Sequence, residues 1–167
     1  MPNPQQHGKG FTGPLKAPGL SGGSQDTSPQ PQSLLDFERR MAEKASYGGD
    51  SVMELAADLG RDLAKSYRAR RGEGGTTQMR KVYGEIRALQ EKARSGLDAV
   101  RPELRLIQAH VAYAVARDTL PILFKKFADL AIARLLLPGT TKDEIDRFVK
   151  FFEAVYAHFY YTSKKEG

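Results

Sequence analysis

Residues 141–161 read TKDEIDRFVKFFEAVYAHFYY, and the spacing of their apolar side chains decides the fold class. Ile145, Phe148, Val149, Phe152, Val155, Tyr156 and Phe159 recur at helical spacing and line one face of an α-helix. The Thr141-Lys142-Asp143-Glu144 run in front of them is a capping box. Phe151, His158 and Tyr161 make a second stripe, alongside Arg147. A helix that is apolar on two sides must be covered on both. With few helices left to cover it, the second stripe is expected to meet another subunit, as surplus aromatics at such positions suit an interface.

Upstream of this helix the same periodicity persists. Pro138-Gly139 stops a helix that Pro121 opens, carrying Leu120, Leu123, Phe124, Phe127, Leu130 and Leu135. Before it, Leu104, Ile107, Val111 and Val115 define a helix with Pro102 placed at its first turn, where a missing N–H costs nothing. The helix starting at Thr76-Thr77 carries Met79, Val82, Tyr83, Ile86, Leu89, Ala93, Leu97 and Val100. Asp50 is expected to cap the helix of Val52, Leu55, Ala56, Leu59, Leu63 and Tyr67, which ends in Arg68-Ala69-Arg70-Arg71 and a glycine-rich break. Ser33 with Asp36 predicts the cap of a first helix bearing Leu34, Phe37, Met41 and Ala45. No run alternates with period two for long enough to suggest a strand. The fold class is therefore all-α: a helical bundle of about five to six helices with a disordered N-terminal tail.

The tail is assigned to residues 1–32, which hold six Pro and six Gly and cannot repay their ordering entropy by burial. Residues 33–164 form the expected bundle domain.

Composition narrows the function. The 167-residue chain has no Cys, which excludes thiol nucleophiles and Cys-based metal sites. There is no HExxH pair, no Gly-x-Ser-x-Gly elbow and no phosphate-binding loop, since Gly8-Lys9-Gly10 follows no strand. The Glu54, Asp58 and Asp62 row reads as a solvated face rather than a metal site. Neither enzyme activity nor a cofactor nor a metal is expected. No stretch of 18 or more apolar residues is present and the N-terminus does not resemble a signal peptide, so a cytoplasmic protein is expected.

The formal charge is +6, and it is unevenly spread: residues 33–75 carry eight positive and eight negative side chains, residues 76–167 sixteen and eleven. Three basic groups stand out. Lys65, Arg68, Arg70 and Arg71 close a helix, where they either complement its dipole or bind anions beside the glycine loop. Arg80, Arg87 and Arg94 lie seven residues apart on one stripe shared with Gly84 and Glu91. Lys125 and Lys126 lie on the next-to-last helix, with Asp129 an ordinary ion-pair partner for Lys125. Leu106, His110, Tyr113 and Arg117 form a further stripe opposite a core face, either buried or a surface for a partner.

Thr76-Thr77-Gln78-Met79-Arg80-Lys81-Val82-Tyr83, Tyr113-Ala114-Val115-Ala116-Arg117, Phe124-Lys125-Lys126-Phe127 and the 148–161 aromatic run, in this order and spacing, carry a resemblance. Over residues 74–164 the chain resembles the small subunit of the type III-A CRISPR effector, the Csm complex. That resemblance implies a non-catalytic protein. Its copies stack into a filament beside the backbone subunits that grip the guide RNA, line the channel where target RNA pairs, and work with the large subunit in antiviral defence. It places Arg80, Lys81, Arg117, Lys125 and Lys126 toward that channel, with Thr77 at the helix start helping to position a phosphate. Arg87 and the cluster Lys65, Arg68, Arg70 and Arg71 are further candidates. Competing readings are a helical adaptor that binds only protein and a nucleoid-type DNA-binding protein.

Overall fold

The structure is a computed structural model that describes residues 29–71 and 75–165; the side chains of residues 68–71 and 75 lie outside that description. Seven helical segments follow in order: α1 (Gln32–Ala42), α2 (Asp50–Met53), α3 (Leu55–Arg71), α4 (Gly75–Ser95), α5 (Leu97–Ala116), α6 (Ile122–Leu135) and α7 (Lys142–Lys165). No strand occurs among the described residues, so the chain is an all-α bundle. The disordered tail expected over 1–32 falls almost wholly outside the described residues, and the bundle starts just ahead of Ser33, with Pro31 as the N-cap of α1.

Side-chain pairs fix the order and direction of the helices. Glu85 meets His110 and Lys92 meets Glu103 at 3.1 Å each, which sets α4 antiparallel to α5. Tyr83 donates to Glu153 at 3.0 Å and stacks on Tyr156 with ring centroids 4.6 Å apart, while Gln90 and Arg94 line one pocket with Lys142 and Asp146, so α7 runs antiparallel to α4 on its other side. Gln108 and Asp129 join α5 to α6. Tyr47, ahead of α2 and α3, packs on Phe148 near the start of α7 and Tyr67 packs on Phe159 near its end, so α3 runs parallel to α7. α1 lies across α3 and α6, through Phe37 on Phe127 and Ser33 on Asp62.

Helix α7 is the centre of the core. Its Phe148, Phe151, Phe152, Val155 and Phe159 are all buried. The paired stripes of the sequence divide here. Phe151, expected at a subunit contact, is fully buried and stacks on Phe37 at 5.6 Å, because α1 folds over that side of α7. His158 and Tyr161 of the same stripe stay exposed.

Several helix starts differ from the sequence expectation for local reasons. Ser33 does not cap α1; its hydroxyl donates to Asp62 of α3 at 2.7 Å, and Pro31 supplies the extended N-cap instead. Asp50 is the first residue of α2, with Gly49 as its N-cap, and the single helix expected from here is two pieces parted at Glu54. Gly96 adopts φ 131°, a conformation that favours glycine, and so ends one helix and starts the next. Leu97 and Val100 therefore belong to α5, not to the helix before it. Pro102 consequently sits past the first turn of α5, where it removes the ladder bond to the Asp98 carbonyl; its exposed position lets water reach that carbonyl. The capping box of α7 is half formed. The Glu144 N–H donates to Thr141 Oγ1 at 3.2 Å, but the Glu144 carboxylate accepts from the Tyr47 N–H and the Ser46 hydroxyl, both at 2.9 Å. That buried carboxylate ties the α1–α2 connection to the start of α7.

The α3–α7 contact depends on Gly60. A Cβ there would lie 2.6 Å from the Val155 carbonyl oxygen and 2.8 Å from the Phe159 nitrogen, both backbone atoms that cannot swing away. Helix propensity alone favours Ala over Gly by about 1 kcal/mol. Gly60→Ala is nevertheless expected to destabilise the protein by about 2 kcal/mol through overpacking. A thermal melt followed by circular dichroism checks this; a raised midpoint would show that the two helices are not pressed together here.

Candidate nucleic-acid interface

The antiparallel order brings most of the sequence candidates to one end of the bundle. At this end α3, α5 and α7 finish and α1, α4 and α6 begin. The Tyr67 hydroxyl of α3 donates to the Thr119 carbonyl beyond α5 at 3.3 Å, which ties the end together, and burial pushes that hydroxyl's pKa up. Thr77, Arg80 and Lys81 stand on the first turns of α4, Arg117 is the C-cap of α5, Lys125 and Lys126 lie in the first turns of α6, and Lys65 is near the end of α3. Arg68, Arg70 and Arg71 occupy the last turn of α3, but their side chains lie outside the described residues, as does the 72–74 loop.

The charges differ between the two ends. At the far end, cations share the surface with Asp50, Glu54, Glu91, Asp98, Glu103, Asp143 and Asp146. At the candidate end, the carboxylates among the described residues are Asp62 and Asp118, with Asp36 one turn into α1, held by Gln32 and Arg39, and Asp129 a turn below the start of α6. Asp62 is already engaged by Ser33 and by Lys65 at 3.8 Å, and Asp129 by Lys125 at 2.5 Å. Thr77, Arg80, Lys81 and Arg117 are exposed; Lys125 and Lys126 are half-buried between neighbouring helices.

The individual candidates are held differently. Arg80 faces Gly84 one turn on, where nothing stands within 4 Å of a built Cβ, so the surface beside it is open. Arg87 lies nearer the middle of α4, with its guanidinium 5.9 Å from the centre of the Tyr83 ring, and so stands away from the end group. Burial, then the hydrogen bond to Glu153, raises the Tyr83 hydroxyl pKa. Arg94 is at the opposite end, paired with Glu91 at 2.8 Å. Asp98 is no partner for Arg117, since the two residues mark opposite ends of α5. Arg117 instead donates to the Tyr113 hydroxyl at 3.0 Å. The Leu106, His110, Tyr113 and Arg117 stripe is not a second buried face: Leu106 and Tyr113 are exposed, and His110 pairs with Glu85 on the flank of α4.

The sequence placed Tyr113 and Arg117 on one stripe, but not the ring–cation pairing that repeats at this end. Tyr113/Arg117, Tyr160/Lys164 and Tyr161/Lys165 each set a cation 5.3–5.9 Å from the centre of a tyrosine ring four residues earlier. The signal was the spacing Tyr-x-x-x-Arg/Lys, repeated on two helices that finish together. No cluster of three or more His, Asp and Glu side chains among the described residues is placed to hold a metal ion, and no helix there is long and apolar enough to cross a membrane.

A family model described as Csm2 Type III-A matches residues 49–165, from the N-cap of α2 to the end of α7. The chain belongs to the Csm2 type III-A family. Csm2 proteins are small subunits of the type III-A CRISPR effector complex, so the resemblance noted over 74–164 holds and reaches further upstream to include α3. The candidate basic residues all fall within the matched range. Neither the curated proteins nor the solved structures searched gave a match to this Csm2 chain.

Proposed function

We propose that this Csm2 chain is a non-catalytic RNA-holding subunit. Its copies stack into a filament that grips the guide–target RNA duplex by the backbone, beside the backbone subunits and the large subunit, in the prokaryotic cytoplasm. The observation that carries this reading is the gathering of Arg80, Lys81, Arg117, Lys125 and Lys126 at one end of a rigid bundle with few carboxylates to neutralise them. In a guided complex, base pairing reads the sequence and protein need only hold shape and phosphate. A-form grooves offer side chains little else. Cations on helices, without a base-reading motif, suit that task. Thr77, in the first turn of α4, adds a hydroxyl where unpaired helix N–H groups favour anions. Lys65 of α3 stands at the same end and lines a pocket with Lys126; Arg68, Arg70 and Arg71 follow it in the same helix, and Arg87 adds a cation further along α4.

The test is filter binding of RNA oligonucleotides across a salt series. Affinity is expected to fall steeply with salt and to be indifferent to sequence, because binding releases counterions from phosphates. Arg117→Ala is expected to weaken binding by about 1–3 kcal/mol on every sequence, with the melting temperature unchanged because the side chain is exposed. Salt-independent binding or none would favour a protein-only adaptor, and a strong preference for DNA would favour the nucleoid reading. Loss of stability with RNA affinity retained would assign Arg117 a purely structural role.

A further inference from the structure

Tyr113 is 62% exposed, an uncommon position for a ring that could stabilise a core. It stacks on no other aromatic side chain among the described residues. What it does touch is Arg117, whose guanidinium lies 5.5 Å from the ring centre while donating to the hydroxyl at 3.0 Å. The pair holds a π-face and a cation in one fixed relation and leaves much of the ring in water. Tyr160 is 38% exposed, with the Lys164 ammonium 5.9 Å from its ring centre.

The helix order puts α4 between these two pairs. On α5, Tyr113 and Arg117 share the stripe of His110, which faces α4 through Glu85. On α7, Tyr160 lies one turn beyond Tyr156, which faces α4 by stacking on Tyr83. The first turns of α4 then set Lys81 on the α5 side and Arg80 on the α7 side, by the same helical register. Neither makes an ion pair with a described carboxylate. Packed helices lie 8–10 Å apart, so the two rings are separated by roughly 16–20 Å with two cations between them. Alternating aromatic faces and cations are how proteins hold unpaired nucleic acid, since every base has a π-face and every link a phosphate. A paired duplex hides its base faces, so phosphate contacts alone give the rings nothing to stack on.

We propose that this face, besides gripping duplex by its phosphates, also takes unpaired RNA. Tyr113 and Tyr160 each stack on a base, while Arg117, Lys81, Arg80 and Lys164 hold the phosphates around them. This rests on the RNA-holding reading above and deepens it, adding base stacking to the phosphate grip.

Three probes of equal length separate the two ideas: a single-stranded RNA, the same strand with abasic sites, and its duplex, each titrated against the full chain in low salt. The wild-type chain is expected to bind the intact single strand at least about fivefold more tightly than the abasic strand. Tyr113→Ala is expected to weaken binding of the intact strand about five- to tenfold and leave abasic and duplex binding unchanged, whereas Tyr113→Phe keeps the wild-type preference. A 2-aminopurine placed in the single strand should be quenched on binding by wild type and less so by Tyr113→Ala. Equal affinity of the wild-type chain for intact and abasic strands overturns the stacking while leaving the phosphate grip in place. An equal loss on intact and abasic strands by Tyr113→Ala also overturns it, because the tyrosine then acts only by steadying Arg117. Failure to bind any of the three overturns both readings.

Discussion

Phe151→Ala is expected to lower the melting temperature by roughly 8–15 °C. The ring is fully buried and meets three others from separate parts of the chain: Phe37 of α1, Tyr47 of the α1–α2 connection and Phe127 of α6, at 5.6, 5.6 and 6.3 Å. Truncating such a ring removes its transfer free energy and leaves a cavity that rigid neighbours cannot fill, a loss of about 3–5 kcal/mol. For a domain of this size each kcal/mol moves the midpoint by about 2–4 °C. α1 should also become the first segment to exchange its amide hydrogens, because Phe37 loses its stacking partner. Thermal circular dichroism with hydrogen exchange measures both effects. A midpoint within a few degrees of wild type would mean that Phe151 faces outward and that α1 does not cover α7.

Phe151 also marks where sequence reasoning stops. The stripe of Ile145, Phe148, Phe152 and Phe159 was readable because a single helix face has a fixed period. Which element covers the second face is a tertiary fact: few helices seemed left to cover it, and the one that does, α1, lies more than a hundred residues earlier in the chain. Boundaries failed for the same kind of reason. Ser33 was drawn away from its own helix start by Asp62, twenty-nine residues later. Gly96 moved a boundary through a positive φ that the continuous apolar pattern of Ala93, Leu97 and Val100 concealed. At the candidate interface the residue types were legible and their meeting was not. Arg80, Arg117 and Lys126 come to one end of the bundle only once four antiparallel connections have brought the ends of α3, α5 and α7 level with the starts of α4 and α6. The tyrosine–cation spacing lay in the sequence in plain form, but an isolated i, i+4 pair is usually surface decoration. Its meaning comes from the repeats standing at the same end.

The second large effect is expected from reversing two charges at the start of α4. Arg80→Glu with Lys81→Glu should weaken RNA binding about a hundredfold or more in low salt and reduce the salt slope by about two. Each wild-type side chain is exposed and makes no ion pair with a described carboxylate, so neither is committed to the fold. A charge-assisted phosphate contact is worth about 1–3 kcal/mol, and reversal replaces attraction with repulsion. The size of the stability change separates this from damage to the protein. Both positions lie in the second turn of α4, past the first-turn N–H groups, so the helix dipole offers the new carboxylates little, and Lys81→Glu sets a carboxylate one turn from Glu85, a like-charge pair that costs about 0.2–0.5 kcal/mol. The double variant should therefore melt within about 2 °C of wild type while losing RNA. Affinity within about threefold of wild type, measured on that folded variant, would remove the start of α4 from the RNA path. The load would then fall on α5 and α6, where Arg117 and Lys126 remain.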